Sequence, residues 1–134
     1  MSLENVEHVR RSIDAYNRRD LDGLLDHWAP DAVVDWSNSR GFDGGVYRGH
    51  DDIRAFLQRF WAAWDEVRIE LVDDPVEVEE GLLIAENLAY LRGRDDIETQ
   101  ARSAWLITIR DGKQTSLTLY QTKQEALEAA GLSE

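Results

Sequence analysis

The sequence predicts one α+β domain, helical in its first half and built of antiparallel strands in its second. Three observations carry that expectation. Ile53, Phe56, Leu57, Phe60, Trp61 and Trp64 fall on one face of a helix. From residue 82 onwards three strand-length apolar runs follow one another, and Asp111-Gly112 joins two of them as a two-residue hairpin turn does. The chain of 134 residues, 43% of them hydrophobic, has room for one core and little more, so residues 1–134 are read as a single domain.

In chain order, Val6, Val9, Ile13 and Tyr16 recur at helical spacing through residues 3 to about 19. Asp20 can cap a second helix, because its carboxylate accepts from the free amides of the first turn. Leu21, Leu24, Leu25 and Trp28 continue that helix to about Ala29, where Pro30 stops it. Residues 31–36 (DAVVDW) read as a strand, and residues 37–49, with Gly41, Gly44, Gly45 and Gly49, as a loop. The strongest helix opens with Asp51 and Asp52, whose charge suits the positive end of the helix dipole. Residues 67–78 form a strand that Pro75 interrupts or confines to a sheet edge. Three further strands span residues 82–92, 98–110 and 114–122, and a short helix over residues 123–130 ends at Gly131.

Charge and composition narrow the function. The net charge of −12 repels phosphate backbones and anionic lipid headgroups, so neither nucleic acid nor membrane is an expected partner. No apolar run reaches the length of a membrane helix, and the first residues lack the core of a signal peptide; a cytoplasmic location is expected. Without cysteine there is no disulfide, thiolate nucleophile or Cys-based zinc site. His8, His27 and His50 lack metal-site spacing, and the glycines match no phosphate-binding pattern; no metal and no cofactor is expected. The glycines of residues 41–49 read instead as a lid or rim.

Residues 82–85 (LLIA) and 105–107 (WLI) are apolar at successive positions, so both faces of the sheet are covered there. Three helices cover one face. The other is expected to meet a second copy, giving a homodimer.

Several phrases carry a resemblance: residues 15–25 (AYNRRDLDGLL), 30–36 (PDAVVDW), 46–53 (VYRGHDDI) and 109–113 (IRDGK). Together with the order of elements they resemble the nuclear transport factor 2-like superfamily, and within it the SnoaL-like branch related to polyketide cyclases and ketosteroid isomerase. The resemblance spans nearly the whole chain. It implies a cone-shaped, curved antiparallel sheet, an α+β barrel of the cystatin-like kind, with three helices on its concave face. It does not fix an activity, since one fold hosts many functions.

Carried over residue by residue, the oxyanion-hole Tyr of ketosteroid isomerase falls near Ser12, its base near Trp36, and the hole's Asp near Trp105. All three functional groups are missing. If Trp36 takes the base's place, strand alternation turns Val34 and Ala32 to the same side and Asp35 away. The same parity sends Ser103, Trp105 and Ile107 inward from one strand, and Leu117, Leu119 and Gln121 from the next. Ala85, Asn87 and Ala89 form a third set. Tyr16, Trp28, Phe56, Phe60 and Trp64 are the helical contributors.

These rings would make the walls of a small-molecule pocket, with Tyr16, Asn87 and Gln121 among its few polar groups. The bland alternative is that they fill the core. Asp35, an acid within an apolar strand, is the candidate general base if a bulge turns it inward. Two functions stay open: a cofactor-independent isomerase, cyclase or dehydratase acting on a small hydrophobic molecule, or a binding or dimeric interaction module that keeps the pocket without the chemistry.

Overall fold

The computed structural model describes residues 3–39, 44–93 and 96–131. Two helices open the chain, α1 (Leu3–Asn17) and α2 (Leu21–Asp26), followed by β1 (Trp28–Asp35), β2 (Val46–Arg48) and α3 (Gly49–Ala62). Five strands come next: β3 (Glu66–Leu71), β4 (Val76–Glu79), β5 (Leu82–Arg92), β6 (Glu98–Arg110) and β7 (Lys113–Tyr120). Helix α4 (Lys123–Ala129) closes the described chain. The strands form one curved, unclosed sheet ordered β2-β1-β7-β6-β5-β3, with β4 also paired to β5.

The apolar periods become buried faces. Helix α3 buries Ile53, Phe56, Leu57 and Trp61, and α1 buries Val6, Val9 and Ile13. Asp20 caps α2 as expected, accepting from the Gly23 amide. Asn17, at the end of α1, accepts from the Ile69 amide at 2.8 Å and donates to its carbonyl at 2.9 Å, hooking that helix to edge strand β3. At the β6–β7 hairpin Asp111 and Gly112 both take positive φ (53° and 77°), the backbone that suits the right-handed twist of the flanking strands.

Several boundaries differ from expectation. Helix α2 ends at Asp26, and Trp28 opens β1 opposite Gln114 of β7. Pro30 therefore lies inside a strand; the ladder is irregular between Trp28 and Val33, which accommodates its missing N–H. Trp64 stands beyond the end of α3, after the cap at Ala63. The glycine-rich loop contains β2, antiparallel to β1, and Gly49 belongs to α3; Gly41 lies outside the described residues. The sheet is not wholly antiparallel, because β1 joins β7 in parallel.

The outer face also differs. Helix α4 places Ala126 against Ile84 of β5 and Ala104 of β6, with Val78, Leu106, Tyr120 and Leu127 packed around them. Part of the apolar outer face is thus covered by the chain itself. That removes part of the reason to expect a second copy there.

Candidate functional site

Between α1, α3 and the inner face of the sheet lies a cavity of about 300 Å³. Strand parity explains its far wall. Asn87, Ala89 and Leu91 point inward from β5, Ser103, Trp105 and Ile107 from β6, and Leu117 and Leu119 from β7. Helix α1 contributes Ser12 and Tyr16, α3 contributes Phe56 and Phe60, Trp28 opens β1, and Trp36 and Trp64 stand just beyond β1 and α3. Tyr16, Trp28, Trp36, Phe56, Phe60, Trp64, Asn87, Ser103, Trp105, Leu117, Leu119 and Gln121 all line this one cavity.

The rings form a connected set. Tyr47 of β2 stacks on Phe56, with centroids 4.3 Å apart and planes at 17°. Phe56 also meets Trp36 at 5.7 Å and Phe60 at 6.1 Å. Trp36 sits one residue beyond β1, held by a 2.7 Å bond from its amide to the Gly45 carbonyl. The segment after it is tied down: Asn38 donates to the Leu119 carbonyl at 3.0 Å, and the Gln121 amide donates to the Asn38 carbonyl at 2.6 Å.

That tie changes the role of Gln121. Its nitrogen serves the backbone of the rim, so part of its hydrogen-bonding capacity is structural. Asn87 is similar: fully buried, it donates to the Ala85 carbonyl at 3.1 Å and accepts from the Ser103 hydroxyl at 3.3 Å.

Tyr16 differs from both. It is half-buried, and no hydrogen-bond acceptor for its hydroxyl is found among the described residues. Burial pushes its phenol well above the ordinary value of about 10, while the nearby Trp61 N–H and the Arg19 charge oppose the shift. The Trp61 nitrogen lies near the phenol oxygen without the geometry of a full hydrogen bond. Tyr16 is thus a neutral O–H donor beside the cavity at any ordinary pH.

Asp35 lies outside the cavity lining, as the alternation of β1 requires. Its carboxylate accepts from the Ser37 amide at 3.0 Å and the Ser37 hydroxyl at 2.6 Å, a turn that serves the backbone. The bulge that would have turned it inward is absent between Val33 and Asp35, where the β1 register is regular. Among the described residues the lining carries no carboxylate and no imidazole; its one charged side chain, Arg102, is paired with Glu86 at 3.0 Å.

The histidines hold the α2–β1 junction. His8 donates to the His27 carbonyl at 2.9 Å and His50 to the Trp28 carbonyl at 3.1 Å. Burial holds the His8 imidazole below its ordinary value; the bond to His27 opposes this, and the charges of His27, Arg11 and Lys113 add to it. No group of three or more His, Cys, Asp or Glu suited to a metal occurs among the described residues. No helix among them is long and apolar enough to cross a membrane.

Sequence parity missed one cavity residue of consequence. Gln114 is the second residue of β7, close behind the hairpin turn, where a polar side chain ordinarily meets solvent, yet only 1% of it is exposed. The ladder between β6 and β7 is irregular beside it, between Thr108 and Ile109, and its side chain joins the cavity lining.

Residues 9–117 match the model of the SnoaL-like domain. The chain belongs to the SnoaL-like family. Solved structures share its fold over nearly its whole length. An NTF2-like protein of unknown function from Burkholderia pseudomallei K96243 is 23% identical, with a TM-score of 0.78 over 96% of this chain and 97% of that one. An NTF2-like protein from Burkholderia xenovorans LB400 is 26% identical, with a TM-score of 0.71 over 97% of both chains. A Mycobacterium tuberculosis protein solved in complex with estradiol-17beta-hemisuccinate is 14% identical, with a TM-score of 0.75 over 90% of this SnoaL-like chain and 95% of its own. Comparison with curated proteins gave no match.

Proposed function

We propose that this SnoaL-like protein binds a compact, neutral, largely aromatic molecule in the cavity between its helices and its sheet. The observation that carries this is the wall: Trp28, Trp36, Trp64 and Trp105 surround one cavity beside a neutral Tyr16 hydroxyl. Apolar walls give affinity through burial, whereas a charged ligand would lose its hydration with nothing to replace it. Size sets the class further. A cavity of about 150 Å³ holds one benzene, so about 300 Å³ suits roughly two fused rings. The Mycobacterium tuberculosis relative, solved with a small molecule, supports the same use of the fold. Titration of the protein with tetralin, followed by tryptophan emission, should give a saturable one-to-one change. The substitution Ala89→Phe, which fills the cavity from β5, should abolish it. No saturable change with either tetralin or its ketone would overturn the proposal.

Tyr16 favours a second function, a cofactor-independent isomerase, cyclase or dehydratase. A buried neutral phenol can polarise a ligand carbonyl. Because Trp36 and Trp105 stand where ketosteroid isomerase has carboxylates, a β,γ-unsaturated ketosteroid should not be isomerised. Turnover above buffer that Tyr16→Phe removes would favour the enzyme. We further propose that the outer face left beside α4, with Leu88 and Tyr90 of β5, pairs two copies of the chain.

A further inference from the structure

We infer that Ser103 is the acceptor of a subsite that takes a neutral ligand hydroxyl, and that Asn87 is the positioning residue that makes it one. The inference rests on the cavity being a ligand site, as proposed above. Many polar atoms of the cavity wall are out of a ligand's reach. The Trp28, Trp64 and Trp105 indole nitrogens, the Ser12 hydroxyl and the Gln114 amide nitrogen are all sealed within it. Arg102 is paired with Glu86. Ser103 is different. Along β6 the inward residues run from exposed Thr99 and Ala101, through half-buried Ser103, to buried Trp105 and Ile107. Ser103 thus stands at the step between the open and the closed end of the cavity.

Backbone carbonyls fix which atom does what. Asn87 and Ser103 are directly opposed across the β5–β6 ladder. The Asn87 amide nitrogen donates to the Ala85 carbonyl at 3.1 Å, which an amide oxygen could not do. Its oxygen is therefore the atom that meets the Ser103 hydroxyl, at 3.3 Å. That oxygen cannot donate, so Ser103 gives its proton to Asn87 and keeps only lone pairs for anything else. Asn87 is 1% exposed, and its oxygen has no other donor among the described residues. A ligand that took the Ser103 proton would strand a buried acceptor, which is costly.

The next strand extends the row. Ala104 pairs with Tyr120, so the cavity-lining residues one step further, Ser103 and Gln121, are neighbours across β6 and β7. The Gln121 nitrogen donates to the Asn38 carbonyl at 2.6 Å, which leaves its oxygen and one further N–H. A ligand hydroxyl can donate to Ser103 and accept from Gln121. A ketone oxygen meets the lone pairs of Ser103 instead, and an ammonium would shed its hydration between apolar walls. The matching group is a phenol or alcohol.

The test compares 5,6,7,8-tetrahydro-2-naphthol with tetralin, which differ by one hydroxyl, using calorimetry on the intact protein. The wild type should bind the naphthol roughly tenfold more tightly, the scale of one neutral hydrogen bond. Ser103→Ala should remove that preference while leaving tetralin binding within about twofold, and Ser103→Thr, which keeps a hydroxyl, should retain it. If Ser103→Ala does not fold because Asn87 is stranded, Ser103→Ala combined with Asn87→Leu removes both partners and should show the same loss. Asn87→Leu alone frees the Ser103 proton, so affinity for 1-tetralone relative to tetralin should rise severalfold; no rise would overturn the positioning role of Asn87. Equal wild-type affinity for naphthol and tetralin would overturn the subsite while leaving the ligand cavity standing. So would a preference that survives Ser103→Ala, which would assign the hydroxyl to another group such as Tyr16, or a variant that weakens both compounds equally. Failure of both compounds to bind would overturn the subsite and the ligand cavity together.

Discussion

Replacing Tyr16 by Phe separates what the phenol does for the fold from what it does for a ligand. The hydroxyl has no acceptor among the described residues and only an incomplete contact from Trp61, so its removal deletes no full hydrogen bond. At pH 7 the unfolding free energy should stay within about 0.5 kcal/mol of wild type. Alkali should reveal the difference. Burial raises the folded phenol above its ordinary value of about 10, so the folded state holds a proton that the unfolded state gives up. The stability tied to the neutral phenol is complete below pH 10 and falls as pH rises beyond it, by up to about 1.4 kcal/mol per unit. Tyr47, Tyr90 and Tyr120 remain in both proteins, so their contributions cancel in the comparison. Urea unfolding followed by circular dichroism at pH 8 to 11 should therefore show wild type losing stability relative to Tyr16→Phe only above pH 10. Parallel curves up to pH 11 would refute the buried, unpaired phenol. So would a loss of more than about 2 kcal/mol at pH 7.

Other outcomes follow from the same geometry. Gly81 has φ of 77°, and a Cβ there would meet the Ile109 carbonyl oxygen at 2.5 Å; Gly112 shares the φ but has open space around it. Gly112→Ala should cost about 1 kcal/mol and Gly81→Ala clearly more, read by urea midpoints. His8 favours its neutral form when folded, so its contribution to stability is complete above about pH 6.5 and is lost as pH falls below it; His8→Gln should flatten thermal midpoints between pH 7 and 5. Sedimentation should show a dimer at micromolar concentration, and Tyr90→Glu should dissociate it without unfolding; a wild-type monomer would end that proposal.

Much of the fold was legible because local signals agreed. The apolar face from Ile53 to Trp61 became α3, and Gly81 with Asp111-Gly112 fixed the strands on either side. Those turns also set register, so period two correctly grouped Ser103 and Trp105 with Leu117 and Leu119 around one cavity. What escaped depends on distant partners. Trp28 fits a helical period with Leu21, Leu24 and Leu25, but pairing with Gln114, far along the chain, draws it into β1. Strand β2 has only three residues, too few for a period, and exists by pairing with β1. The apolar run around Ile84 pointed to an uncovered outer face, yet α4 covers part of it. Gln114 was illegible for the same reason, its burial arising from an irregular ladder and a parallel neighbour.

The proposed use of the cavity as a ligand site is tested most directly by the indole N–H signals of ¹⁵N-labelled protein during titration with 1-tetralone. Four of the five tryptophans, Trp28, Trp36, Trp64 and Trp105, line the cavity, while Trp61 is buried against Tyr16 outside the lining. Saturable shifts should appear in the four lining signals, with Trp61 moving least. Shifts confined to surface amides, or no shift in the four at saturating ligand, would contradict a binding site between the helices and the sheet.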